Sequence, residues 1–185
     1  MISYTHRLNA FTKPTTWQLH EKGLIMTEEG GQEWKIPFKN ITAVRLRFEP
    51  SRAETRRYAM RIQAGRELAI TNINYRGVMD FEEQSEAFTA FVTAFHEALH
   101  AANPDATYKA GSTMGAYIGN VILNVFVLSV LIGVAIWLIT TGMWGIFAVK
   151  AAIILFYVPV MLIQLKKNFP KSYNPDDIPA DLKPA

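Results

Sequence analysis

The chain has 185 residues, carries a formal net charge of +3 and contains no cysteine, which excludes disulfides and thiolate metal sites. No charged residue lies between positions 110 and 149, and an apolar run of that length excludes a single water-soluble domain. Residues 1–110 carry 14 basic and 13 acidic groups. This balance argues against a nucleic-acid-binding protein, which concentrates positive charge on its folded domain.

The segment from Trp17 to Ile73 shows the alternation of apolar and polar residues that is typical of β-strands. The clearest alternation runs from Val44 to Phe48. Turn residues separate the apolar groups, so we predict an antiparallel meander of six or seven short strands, with a further segment at residues 5–11. The apolar groups are Trp17 and Leu19; Leu24 and Met26; Trp34, Ile36 and Phe38; Val44, Leu46 and Phe48; Tyr58, Met60 and Ile62; and Leu68 and Ile70.

The period then changes to that of one amphipathic helix. Its apolar stripe comprises Phe88, Phe91, Val92, Phe95, Leu99 and Ala102. Asp80 followed by Glu83 predicts the helix N-cap, and Asn103-Pro104 predicts its end. The predicted fold class is therefore α+β: a small antiparallel barrel or sandwich that is capped by one helix.

The predicted helix carries a zinc-protease pattern, in which His96 and His100 would bind the metal and Glu97 would activate a water molecule. No Glu or His follows His100, so the usual third ligand is missing. With the phenylalanines facing inward, the helical wheel places both histidines and Glu97 on the flank and outer face. We therefore interpret the pattern as a chance match and predict a non-enzymatic protein without a cofactor. A membrane-anchored zinc protease is the less favoured alternative.

Positive charge is concentrated between Arg45 and Arg66, where seven arginines face only two glutamates. Arginine binds phosphates and carboxylates through two hydrogen bonds at once. The candidate binding residues are Arg45, Arg47, Arg52, Arg56, Arg57 and Arg61. Their ligand is predicted to be an anionic lipid headgroup or an acidic protein surface; the alternative is a solvated strand face that pairs with its own glutamates.

Two apolar runs, at residues 116–140 and 146–165, are each long enough to span a bilayer. A loop of about five residues joins them, which predicts an antiparallel hairpin. Lys109 precedes the hairpin, while Lys166, Lys167 and Lys171 follow it. The positive-inside rule therefore predicts that both chain ends are cytoplasmic.

Two pairs of residues in the first run are candidates for helix packing. Gly115 and Gly119 have the spacing that allows close helix approach, either to the partner helix of the hairpin or to a second copy of the chain. Asn120 and Asn124 lie one turn apart and need hydrogen-bond partners in hydrocarbon, so we predict a structural hydrogen bond across the helices.

The element order resembles a pleckstrin-homology-like (PH-like) fold over residues 17–103. The resemblance rests on that order and on the residues around Gly23-Leu24, Ile36-Pro37-Phe38 and Phe91-Val92. The full layout resembles small bacterial inner-membrane proteins in which such a domain precedes a two-helix hairpin. The resemblance implies a binding or scaffolding module for proteins or lipids, located in the inner membrane.

These patterns predict four regions: a PH-like domain at residues 1–105, a linker at 106–115, the hairpin at 116–165, and a proline-rich tail at 166–185. The predicted function is that of an anchored interaction protein that binds a protein or anionic lipid. The alternative is a structural subunit of a larger membrane complex that acts through its helix hairpin.

Overall fold

A computed structural model describes residues 2–50 and 56–184. The protein is of the α+β class and divides into two compact units. The first unit comprises residues 2–111 and 171–184, and the second comprises residues 112–170. All the described strands and one helix lie in the first unit, and two long apolar helices form the second.

The first unit contains two sheets and a separate β-hairpin. One sheet has the order β1-β2-β3-β4, the other has the order β11-β10-β5-β6-β7, and β8 pairs with β9. Every pair is antiparallel except β10 with β5, which is parallel. The strands are β1 (Ser3–His6), β2 (Thr15–His20), β3 (Gly23–Glu28), β4 (Glu33–Pro37), β5 (Ala43–Phe48), β6 (Tyr58–Ala64), β7 (Arg66–Thr71), β8 (Ile73–Gly77), β9 (Asp80–Glu83), β10 (Thr107–Ala110) and β11 (Lys171–Ser172).

The predicted strand alternation between Trp17 and Ile70 is confirmed. In β5, Val44, Leu46 and Phe48 are buried, while the residues between them are partly exposed. They lie opposite the buried residues Ile62, Met60 and Tyr58 of β6. One face of each strand therefore supplies the core, since successive side chains point to opposite sides of a sheet.

Helix α1 (Ser85–Ala102) buries the predicted phenylalanine stripe in the same core. Its Phe88 and Phe91 rings lie 6.0 and 5.8 Å from the ring of Tyr4 in β1. The helix ends as predicted at Asn103, whose side-chain amide donates to the carbonyls of Phe38 and Ile41, each at 3.0 Å. Burial of each large side chain contributes about 1.5–3 kcal/mol, so this stripe fixes the helix to both sheets.

The predicted N-cap of α1 is wrong. Asp80 and Glu83 lie in β9, where Glu83 is opposite Ile73 of β8, and the helix begins two residues later at Ser85. The short strand has no apolar alternation of its own. Its pairing with β8, rather than local propensity, therefore decides its structure.

The C-terminal segment, residues 171–184, belongs to the first unit. β11 pairs with β10 through Lys109 opposite Ser172 and Ala110 opposite Lys171. Farther along, Ile178 and Leu182 are buried in the common core. Sequence patterns predicted a proline-rich tail at residues 166–185 and a linker at 106–115, but the structure forms a strand in each. Strands of two to four residues are too short to show a period, which explains the difference.

The second unit consists of α2 (Met114–Thr140) and α3 (Trp144–Lys167). Both helices are long and apolar enough to cross a membrane; at 1.5 Å per residue they measure about 40 and 36 Å. The turn between them includes Gly142 at a φ of 73°, a left-handed conformation that suits glycine. The predicted helical hairpin therefore forms; α2 ends at Thr140 as predicted, and the other three helix ends lie two residues beyond the predicted runs.

Replacement of Leu182 with alanine is expected to lower the free energy of unfolding of the first unit by about 2–4 kcal/mol, because the smaller side chain leaves a cavity. Leu182 is only 2% exposed. The matched control is Val78→Ala, at a residue that is 88% exposed, with an expected change below about 0.5 kcal/mol. Urea unfolding of the full chain in detergent measures both. Equal values for the two variants would show that the C-terminal segment is not part of the core.

Candidate functional site

Three basic residues lie in one row across the five-stranded sheet. The register places Arg45 of β5 opposite both Arg61 of β6 and Lys109 of β10. Arg45 alternates with the buried Val44 and Leu46, so the row lies on the outer face of the sheet. We call Lys109, Arg45 and Arg61 the basic row. Neighbouring strands are about 4.8 Å apart, so the row spans about 10 Å.

Like charges opposite each other destabilise a sheet, and two glutamates offset this repulsion. The guanidinium of Arg61 donates to both oxygens of Glu49, at 2.8 and 3.2 Å, and also contacts Glu67. Arg47 lies 3.3 Å from Glu49. The hydrogen bond to Glu49 is the main cause that raises the pKa of Arg61. Part of the arginine-rich face thus pairs with its own glutamates.

Among the residues that the structure describes, this face keeps a positive charge after the pairing. It carries the basic row and Arg47 against the two glutamates, which leaves a charge of +2 among these six residues. Arg45 donates from Nη1 to the carbonyl of Gly111 at 3.3 Å. Its pKa is lowered, first by burial and then by the charge of Arg47. Lys109 is exposed. An anion on this face would meet Arg45 and Lys109 side by side.

The remaining predicted arginines are not part of the row. Arg56 lies 4.0 Å from Glu83 of β9, and the charge of Arg57 acts on the buried His6. Burial, and secondly this charge, lowers the pKa of His6 to about 4. Arg52 lies outside the described residues. Lys109 was missed because β10 has no recognisable strand pattern, and only its pairing with β5 brings it beside Arg45.

The three residues of the zinc-protease pattern lie in different environments. Glu97 is exposed, as predicted, and His100 is half-buried with its ring 6.3 Å from that of Tyr108. The prediction that His96 lies on the outer part of the helix is wrong, because its side chain is 0% exposed. The helical wheel assumed that only the sheets bury α1. In the structure, the C-terminal segment buries a second side of the helix.

Both ring nitrogens of His96 have hydrogen-bond partners. Nδ1 lies 2.7 Å from the carbonyl oxygen of Val92, and Nε2 lies 2.6 Å from the hydroxyl of Tyr173. A carbonyl only accepts, so Nδ1 carries the hydrogen, and Nε2 of the neutral ring accepts from Tyr173. Burial lowers the pKa of His96 to about 4, assisted by the charge of Lys183 and opposed by the bond to Val92. The bond to Tyr173 attaches the C-terminal segment to α1.

The second unit confirms a hydrogen bond across the helices. Asn124 of α2 donates to the backbone and side-chain oxygens of Asn120, at 2.7 and 2.8 Å. Its own carbonyl accepts from the hydroxyl of Tyr157 in α3, at 2.6 Å. The tyrosine was missed, since its partner cannot be chosen without the helix register. A Cβ added at Gly115 or Gly119 would meet no described atom within 4 Å, so these glycines do not pack against α3.

The free energy of unfolding of the first unit is expected to fall as the pH decreases from about 6.5 towards 4. The unfolded chain binds a proton on His6 and on His96 in this range, because an ordinary histidine has a pKa of about 6.5. The folded unit does not, since both pKa values are about 4. Each histidine therefore contributes a slope of about 1.4 kcal/mol per pH unit.

The variant His96→Gln lacks one of these two groups. Between pH 5 and 6, the slope of its unfolding free energy against pH should therefore be smaller than that of the wild type by about 1.4 kcal/mol per pH unit. Denaturant unfolding at several pH values compares it with the wild type. An unchanged slope would show that His96 is not held neutral in the folded unit.

The variant Tyr157→Phe is expected to destabilise the helical hairpin by about 0.6–1.7 kcal/mol, since it removes the donor to Asn124. Tyr117→Phe is the matched control: Tyr117 packs edge-on against Phe169, with ring centroids 5.5 Å apart, and a phenylalanine preserves this contact. Fluorescence energy transfer between dyes on the two helices, measured during detergent-induced unfolding, gives both values. A loss in the control as large as in Tyr157→Phe would contradict the assignment.

No protein-family model matches the chain, and no curated protein or solved structure is significantly similar to it. The candidate site is therefore assigned from its own contacts and charges.

Proposed function

We propose that this chain is a membrane-anchored, non-enzymatic interaction protein whose basic row binds the phosphates of anionic lipid headgroups. The observation that carries the proposal is the register of Lys109, Arg45 and Arg61 on β10, β5 and β6. Only residues 111–113 separate β10 from α2, which is apolar enough to enter a bilayer. The chain therefore connects the row directly to a segment that reaches the headgroup layer.

The chemistry of the row fits a phosphate group. A basic residue near an anionic membrane surface contributes about 1 kcal/mol to binding, and a guanidinium offers two parallel donors to phosphate oxygens. Glu49 and Glu67 engage the donors of Arg61, so Arg45 and Lys109 are the residues of the row that would contact the phosphate.

In this proposal α2 and α3 cross the bacterial inner membrane and both chain ends are cytoplasmic. The lysines on either side of the hairpin, and their absence from the turn at residues 141–143, support this orientation. The pairing of β10 with β11 supports a hairpin independently. Two strands of one sheet lie on the same side of a membrane, so an even number of crossings must separate them.

The proposed domain type is PH-like. The support is the order of strands β2 to β7, followed after the β8–β9 hairpin by α1, whose phenylalanines are buried in the core that both sheets share. The pair β10 and β11 is an addition to that pattern, at the free edge of β5. A binding role rather than catalysis is supported by His96, whose two nitrogens are occupied by Val92 and Tyr173.

A structural subunit that acts through its hairpin is the second candidate. The observation that favours it is the open space around Gly115 and Gly119, which leaves a face of α2 available for close approach by another helix. This candidate function predicts that the partner binds the helices and that substitutions in the basic row do not change its binding.

The experiment uses the full chain in a nonionic detergent and a fluorescent short-chain phosphatidylglycerol as the probe. The double variant Arg45→Gln/Lys109→Gln removes two cations of the row, and it is expected to weaken binding of the probe about 10- to 30-fold. The control Lys22→Gln/Lys39→Gln removes the same charge elsewhere on the first unit, from a residue that precedes β3 and one that follows β4. Its expected effect is less than about threefold.

Equal weakening by both double variants would show that only the net charge matters and would remove the proposed site. Unchanged binding of the probe by Arg45→Gln/Lys109→Gln would also remove the proposed site. If crosslinked membrane partners are at the same time lost on substitution of Gly115 and Gly119 with leucine, the structural-subunit function is the better explanation.

A further inference from the structure

A second surface of the first unit has the opposite charge to the basic row. It is an open groove of about 1320 Å³ between β1 and the outer face of α1. Ser3, Tyr4 and Thr5 form one wall, α1 forms the other, and Pro184 closes one end. Because the groove is separate from the basic row, a ligand in it would add a function to lipid binding.

Within the described residues, the β1 wall of the groove presents backbone groups that have no hydrogen-bond partner in the sheet. β1 is the edge of its sheet, and the carbonyl of Ile2 accepts from Leu19 of β2 at 2.9 Å. Antiparallel pairing alternates, so residues 2, 4 and 6 bond towards β2, while Ser3 and Thr5 direct their N–H and C=O groups to the other side. The carbonyl of Arg7, which has the same orientation, already accepts from Tyr75 of β8 at 2.9 Å.

The pairing at Arg7 shows that this side of β1 accepts a strand. β8 pairs with this edge only beyond the C-terminal end of β1, at Arg7. At Ser3 and Thr5, which line the groove, no described strand pairs with the edge. An exposed strand edge is a ready template for an extended peptide, which binds through backbone hydrogen bonds.

The helix wall leaves room for such a peptide. Ala87, Ala90 and Ala94 line it and project only methyl groups into the groove. Ala87 and Ala90 are exposed. With Thr89 and Thr93, which also line the groove, these alanines form a wall of small side chains that we call the alanine floor, against which alternate side chains of an added strand would pack.

The negative charge of the groove favours a basic partner. Glu83, Glu86 and Glu97 line it, and no lysine or arginine does so in the described residues. Glu83 is engaged by Arg56 at 4.0 Å and by Ser85, whereas Glu86 and Glu97 have no cation within 4 Å in the same part of the chain. They are eleven residues apart, about 16 Å along the helix and on the same side of it. Side chains four residues apart on an extended strand lie on one face and about 13 Å apart, a distance that flexible cationic side chains can extend to reach both carboxylates.

We propose that this groove binds an extended, basic segment of a protein partner, which adds a strand to β1 and places two cationic side chains, four residues apart on one face of the strand, at Glu86 and Glu97. The backbone of Ser3 and Thr5 supplies the hydrogen bonds, and the alanine floor of α1 supplies the apolar contact. Membrane lipids are excluded as the ligand because anionic headgroups would meet carboxylates.

The test uses the full chain in nonionic detergent and a fluorescent eight-residue peptide of alternating valine and threonine, with two lysines four positions apart. Fluorescence anisotropy is expected to show saturable binding below about 1 mM that weakens with salt. The same peptide with glutamates in place of lysines should bind at least about tenfold more weakly. Glu86→Gln/Glu97→Gln should weaken binding of the lysine peptide about three- to tenfold.

Ala90→Trp fills the groove and is expected to abolish binding, whereas the control Ala101→Trp changes an exposed residue of α1 that does not line the groove. Circular dichroism verifies that both variants fold. A peptide with N-methyl groups on alternate residues tests the backbone bonds on the unaltered protein and should not bind. The proposal is overturned by equal binding of the lysine and glutamate peptides, by equal effects of the two tryptophan variants, or by no binding of the lysine peptide at about 1 mM.

Discussion

The structure of the first unit depends on the pairing of β10 with β11. The chain leaves the sheet after Ala110, forms two long helices, and returns at Lys171 directly opposite the point of departure. The helical hairpin is therefore an insertion between neighbouring strands rather than an addition at the end of a finished domain. Closing a loop of about 60 residues costs conformational entropy, which the hairpin reduces because its own helices bring the two ends together.

The position of β11 fixes the path of the remaining C-terminal residues. The backbone N–H of Tyr173 donates to the carbonyl of Tyr108 at 3.3 Å, which places the phenol within 2.6 Å of His96. Ile178 and Leu182 then enter the core. A histidine that would face water in a free helix becomes a neutral, fully buried hydrogen-bond acceptor. The pH dependence of the unit is therefore a property of the C-terminal segment as much as of α1.

The sequence predicted those strands and helices whose apolar residues recur at regular intervals. Strands β2 to β7, the phenylalanine stripe of α1 and both apolar helices were predicted because their side chains alternate or repeat over many residues. β10 and β11 were not, since their four and two residues owe their structure to β5, which is distant in the sequence. The candidate site shows the same limit: Arg45 and Arg61 were predicted, but Lys109 joins them only through parallel pairing.

The two charged surfaces result from how the strands are arranged. β10 fills the free edge of β5, and it adds a lysine to a row of arginines that Glu49 and Glu67 only partly neutralise. β1 remains an edge beside α1, whose outer face carries glutamates and alanines. β10 and β11 thus extend the sheet beyond β5, whereas β1 is an edge strand that β8 meets at Arg7. The two surfaces differ in charge, so the anionic lipid and the basic peptide that we propose as ligands would bind at separate sites.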